Sequence, residues 1–112
     1  MAKKKLKAPP SDYRSPDGDV LVLRGSMTVG TRREYADTMG GSPLSQEDAW
    51  HRGVEFLFER LAVSWAVAGT EPLTKQKELL ARFRVASQDE RRWIRDVLRE
   101  HLAEHFPDLQ AP

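Results

Sequence analysis

His101-Leu102-Ala103-Glu104-His105 has the H-x-x-E-H spacing with which some zinc peptidases hold a metal and activate water. Histidines at i and i+4 share a helix face, so both imidazoles can reach one zinc ion while Glu104 acts as base. Such a centre needs a third protein ligand, and Asp108 is the sole acid among the seven residues after His105. The chain is also too short to build a substrate cleft around that helix, and histidines in a last helical turn interact favourably with the macrodipole. The expected role of both is structural and solvent-facing, with no metal. Glu55 and Glu59 lie one turn apart, whereas catalytic carboxylates need opposed placement and contrasting environments. Interleaved with Arg52 and Arg60, they read as a solvated helix face. With no cysteine there is no thiolate chemistry and no disulfide. The glycines match neither a phosphate loop nor a dinucleotide fingerprint. No catalytic residue and no cofactor is therefore assigned, and the chain is not expected to be an enzyme.

Binding is the better prospect. Arg91, Arg95 and Arg99 form a stripe at i, i+4 and i+8, beside a row made of Arg92, Asp96, Glu100 and Glu104. These rows either pair across the helix surface or offer a face to an acidic or amphipathic partner helix, with Arg82 and Arg84 extending the basic edge. Phe56 falls off the main apolar stripe of its helix, which suits either a small second cluster or an anchor for a partner.

The chain has 112 residues, 39% hydrophobic and 31% charged, enough for one domain with a modest core. No apolar run approaches the roughly 20 residues of a membrane span, and no hydrophobic stretch follows the basic start as in a secretory signal. A cytoplasmic protein without membrane contact is expected. The net charge is +1, but setting aside Lys3, Lys4, Lys5 and Lys7 leaves 14 of the 18 basic residues against 17 acidic ones, a balance of −3. The basic excess therefore sits on a tail, which makes nucleic acid an unlikely partner.

Residues 1–16, rich in lysine and proline, read as a disordered tail, and 17–112 as a single α-rich domain. Asp17-Gly18 reads as a turn, followed by a short strand at Val20, Leu21, Val22 and Leu23. Gly25-Ser26 then reverses the chain into a second strand at Met27–Val29, making an N-terminal β-hairpin with an open edge. Thr31 and Glu34 have capping-box spacing for a helix over Arg32–Met39, ended by Gly40-Gly41. Ser45 and Asp48 open the strongest helix, in which Trp50, Val54, Leu57, Leu61 and Trp65 form an apolar stripe widened by Phe58 and Ala62 and ended by Gly69. Thr74 caps a shorter helix carrying Leu79, Leu80 and Phe83. Ser87 and Glu90 form a capping box for the last helix, with Ile94, Val97, Leu98 and Ala103 inward and Pro107 closing it. The expected fold class is mainly α, a small helical domain of about four helices with an N-terminal β-hairpin.

This order of features resembles the small tail assembly chaperones of long-tailed, siphovirus-type bacteriophages. The resemblance is carried by Val20-Leu21-Val22-Leu23-Arg24-Gly25-Ser26-Met27-Thr28, Leu61-Ala62-Val63-Ser64-Trp65-Ala66-Val67-Ala68-Gly69, Glu71-Pro72-Leu73-Thr74, Glu78-Leu79-Leu80 and Ser87-Gln88-Asp89-Glu90. It spans roughly residues 19–106 and rests on layout and short strings. It implies a non-enzymatic protein of the host cytoplasm that coats the aggregation-prone tape measure protein and is released as tail tube protein polymerises. It also implies helical structure and self-association. In such phages a frameshift often appends a second domain, and this chain would be the shorter product. The expected contact surfaces are the strand edge at Val20, Leu21, Val22 and Leu23, then Phe56, then the stripe Arg91, Arg95 and Arg99. A structural virion protein, such as a connector or tail completion subunit, is the alternative reading, and a small nucleic-acid-binding regulator the one after it.

Overall fold

A computed structural model describes residues 9–40 and 46–112. The order is β1 (Ser11–Arg14), β2 (Val20–Leu23), α1 (Val29–Gly40), α2 (Gln46–Leu61), β3 (Ala62–Ala66), α3 (Gln76–Arg84) and α4 (Gln88–His105). Four helices among the described residues make the fold mainly α, as expected. The expected hairpin is instead a three-stranded antiparallel sheet in the order β1-β2-β3. Lys3–Lys7 and the expected cap Ser45 lie outside the described residues.

Three sequence expectations change together. Ser11–Arg14, assigned to the tail, is a strand, with Ser11 opposite Leu23 and Tyr13 opposite Leu21. The long helix stops at Leu61, and the chain runs without a loop into β3, where Trp65 lies opposite Leu21. Met27–Val29 is not a strand, because Thr28 Oγ1 accepts from the Thr31 N–H at 3.1 Å and starts α1 three residues early. With that segment committed to a helix, β2 takes its second partner from 62–66. Val63, Ser64, Trp65 and Val67 suit a half-buried pleated surface better than a helix interior. The far side of β3 is also engaged, since Trp65 and Leu73 exchange N–H···O bonds of 3.0 and 2.9 Å.

Leu21, Leu23, Leu57, Phe58, Leu61, Trp65, Ile94 and Leu98 are fully buried and form one core between the sheet and α2, α3 and α4. Phe58 lies at its centre, stacked on Phe83 at 4.8 Å and edge-on to Trp65 at 5.7 Å. Helix α1 adds Tyr35 and Met39 against α2. Glycine at 53 permits that approach, since a Cβ there would stand 2.5 Å from the Met39 sulfur and 3.5 Å from Pro112 Cβ.

The Ser87–Glu90 capping box forms in both directions, at 3.1 and 2.9 Å. Helix α3 starts after Lys75 rather than Thr74, with no side-chain cap. In α4, Ile94, Val97 and Leu98 face inward as expected, whereas Ala103 is exposed.

Candidate functional site

Two of the residues selected from the sequence, Phe56 and Arg91, line one open groove of about 380 Å³. Phe56 lies off the main stripe of α2, half-buried against the edge of the core, with its ring 6.1 Å from that of Tyr35. The Arg60 guanidinium lies 4.8 Å from the Phe56 ring centre. Arg91 reaches back from the first turn of α4 and donates to the main-chain oxygens of Arg84 at 2.8 Å and Ala86 at 3.3 Å. It also lies 5.0 Å over Phe83. Arg91 thus ties down carbonyls left free at the end of α3 while presenting a fixed cation to the groove.

Arg52, Glu55 and Glu59 complete the charged rim. Glu55 accepts from Arg84 at 2.9 Å, and this bond holds the Arg84 guanidinium above its already high value. The groove therefore combines aromatic surface with charges of both signs. Such a lining suits an amphipathic polypeptide.

The other stripe arginines are engaged differently. Arg95 Nε and Arg99 Nη1 both donate to the Pro112 main-chain oxygen, at 3.1 and 3.4 Å. Arg95 stacks over Trp50 at 5.2 Å, and the Tyr35 hydroxyl donates to the Gln110 oxygen. Residues 107–112 thus lie across α1, α2 and α4 and engage Arg95 and Arg99. Periodicity alone places three arginines on one face; it does not reveal that the chain returns to engage two of them, leaving Arg95 half-buried and Arg99 exposed.

Val20, Leu21, Val22 and Leu23 are also not a free edge. β2 is the central strand, Leu21 and Leu23 are fully buried, and Val20 and Val22 are half-buried. The edge expected for pairing between copies is occupied by β1 and β3.

His101 overturns a further expectation, because it is completely buried rather than solvent-facing. Its Nε2 lies 2.7 Å from the Arg24 carbonyl oxygen and its Nδ1 2.8 Å from the Tyr13 hydroxyl. A carbonyl only accepts, so Nε2 carries the proton and Nδ1 accepts from Tyr13. Both imidazole nitrogens are thereby engaged. His105 is the next ring, 4.6 Å away, with its Nε2 3.2 Å from Ser11 Oγ. Among the described residues, no group of three or more His, Cys, Asp or Glu side chains is placed to hold a metal ion. Tyr13 is the residue that sequence reasoning missed: the prolines at 9, 10 and 16 obscured the short alternation around it.

A second hollow of about 630 Å³ lies between the β1–β2 turn and the start of α4, with Asp17, Asp19, Asp89 and Asp96 around Trp93. Asp19 is buried there and accepts from the Ala68 N–H at 2.9 Å, so it anchors the turn after β3. No helix of the described residues is long and apolar enough to cross a membrane.

The chain matches no protein-family model, and no curated protein or solved structure matches it.

Proposed function

We propose that this protein is a non-enzymatic assembly chaperone of a siphovirus-type phage tail, acting in the host cytoplasm and holding an amphipathic stretch of the tape measure protein in the groove lined by Phe56 and Arg91. The observation that carries this reading is the convergence of those two residues. They lie on different helices and were chosen for different reasons, one as a misplaced aromatic and the other as part of a basic stripe. A helical client presents an apolar stripe flanked by charges, and an aromatic floor with a rim of both signs complements it. Many weak sites along one long client add by avidity, so a shallow groove suffices. The resemblance in layout over residues 19–106 supports the same reading.

Co-expression with the tape measure protein tests it. The wild-type chain is expected to keep that client soluble. Phe56→Ala, and Arg52→Glu at an exposed rim position away from the core, are each expected to reduce soluble client several-fold. Equal client precipitation with and without the chaperone overturns the reading.

A further inference from the structure

The buried His101 and its half-buried neighbour His105 do not line the client groove. We propose that β1 is a releasable strap, latched against α4 by the Tyr13–His101 and Ser11–His105 contacts and opened when His101 takes up a proton. The proposal stands independently of the client reading.

The strap is the weakest-held element of the sheet. None of its four residues is fully buried; Ser11 and Tyr13 are half-buried and alternate with exposed Asp12 and Arg14. Apart from its ladder with β2, it is tied by Tyr13 to His101 and by Ser11 to His105. Helix α4, in contrast, buries five residues, including Ile94, Val97 and Leu98.

A proton on Nδ1 removes the acceptor that Tyr13 uses, so the hydroxyl must reverse its role. It also places a positive charge in a site with no water access and another imidazole 4.6 Å away. Hydrating that charge by moving α4 would break the core. Lifting β1 costs a four-residue edge pairing, the two side-chain contacts and the half-buried Tyr13 ring, and leaves the buried residues of α4 in place.

The titratable groups bearing on His101 are Tyr13 from β1 and His105 and Glu104 from its own helix, while Arg24 contributes its main-chain carbonyl. Glu100 and Glu104 act on Tyr13. The remaining side is closed by the Phe106 ring, on which Arg32 of α1 stacks at 5.1 Å. Burial holds the imidazole below its ordinary value of 6.5; His105 reinforces that, and the Arg24 bond and Glu104 oppose it. The released strand leaves His101 easier to protonate than the latched one does. Closure is therefore complete above the ordinary histidine range and weakens as pH falls below it. Lifting β1 also leaves one row of β2 main-chain groups unpaired, which turns a covered strand into an edge.

Amide-exchange protection factors, measured residue by residue on the full chain by NMR at about pH 7.5 and about pH 5, test the latch. Protection across Ser11–Arg14 is expected to fall at least about tenfold at the lower pH, while Ile94–Leu98 keep theirs. Tyr13→Phe is expected to show the low strap protection at both pH values. His101→Gln, which can still donate and accept but does not titrate, is expected to abolish the pH response. Parallel loss of protection in strap and α4, or strap protection indifferent to pH, overturns the proposal. A full pH response retained in Tyr13→Phe overturns it as well, and that arm decides the matter even if His101→Gln does not fold.

Discussion

Trp65 is fully buried, yet its indole Nε1 has no hydrogen-bond partner among the described residues. Substitution by phenylalanine should therefore be far milder than its burial suggests. Trp65→Phe removes roughly 40 Å³ from a sealed site, and at about 24 cal/mol per Å³ the cavity costs ~1 kcal/mol. The apolar area lost adds another ~1 kcal/mol. Against these stands an unpaired buried N–H whose desolvation costs about 1–3 kcal/mol, and the substitution removes it. The ring contact to Phe58 at 5.7 Å and the Arg82 guanidinium 4.9 Å above the ring keep an aromatic partner. The opposing effects nearly cancel, so the variant is expected within about 1 kcal/mol of wild type. Trp65→Ala gains the same relief but opens a much larger hole, and about 3–5 kcal/mol of destabilisation is expected. Urea unfolding at neutral pH, followed by the fluorescence of Trp50 and Trp93 with unchanged m, measures both. A loss above about 3 kcal/mol in Trp65→Phe would show that the indole N–H is satisfied in solution, and the reasoning fails.

Two further outcomes follow from the titrating groups. Arg82 donates to Glu90 at 2.6 Å and, with the Ser87 cap, holds the Glu90 carboxyl below its ordinary value against the opposing effect of burial. A depressed carboxyl contributes fully above the ordinary value of 4.5 and loses that contribution as pH falls through the folded value. Glu90→Gln should therefore narrow the stability difference between neutral and acid pH, and Ser87→Ala should cost about 1 kcal/mol through the lost cap, both read by urea unfolding. Burial pushes the hydroxyls of both Tyr35 and Tyr13 above the ordinary 10.0, most strongly at Tyr35. For a raised group the contribution is complete below the unfolded value and is lost as pH climbs through the folded one. Tyrosinate absorbance of the folded chain is expected to rise later than that of the urea-unfolded chain, and coincident curves would contradict the burial of Tyr35.

Local signals with a single physical cause were legible in the sequence. The Ser87–Glu90 box needs only the spacing of two polar side chains, and it forms as read. The apolar stripe from Val54 through Leu61 needs only the helical period, and all three of Val54, Leu57 and Leu61 are buried. The stripe misled where two structures share one pattern. Trp65 continues the helical spacing, but it is buried equally well as a strand residue packed edge-on against Phe58, and burial alone does not choose between them. Ala103 and His101 show the converse. Small and polar residues carry little orientational signal, so their faces were set by what packed against α4, and β1 brought the Tyr13 hydroxyl to His101.

The failures at β1, at Met27–Val29 and at the end of α2 have one origin, and it bears on function. Leu21 and Leu23 require β2 to lie against the core, and a strand there cannot leave both rows of its main-chain groups unpaired. A hairpin with Met27–Val29 would satisfy one row, but Thr28 draws those residues into α1. The rows are satisfied instead by chain that is distant or seemingly unstructured: 62–66 on one side and 11–14 on the other. Such pairings depend on which segments remain available once the helices are placed, which no local window records. The same reasoning removes the β2 edge from the surfaces a partner can reach in the closed molecule. Arg95 is half-buried where it donates to the Pro112 oxygen, whereas Arg99 donates to the same oxygen and stays exposed. Of the contact residues expected from the sequence, Phe56 and Arg91 share one groove, and Arg99 stays exposed outside it. A partner that bound through the β2 edge would have to lift β1 first, so its affinity would follow the protonation of His101, whereas a partner bound in the Phe56 groove would not feel it. His51 also lines the groove, so client binding is measured above and below the histidine range in wild type and in His101→Gln: tightening in acid that His101→Gln abolishes places the client on the strand, and binding that His101→Gln leaves unchanged places it in the groove.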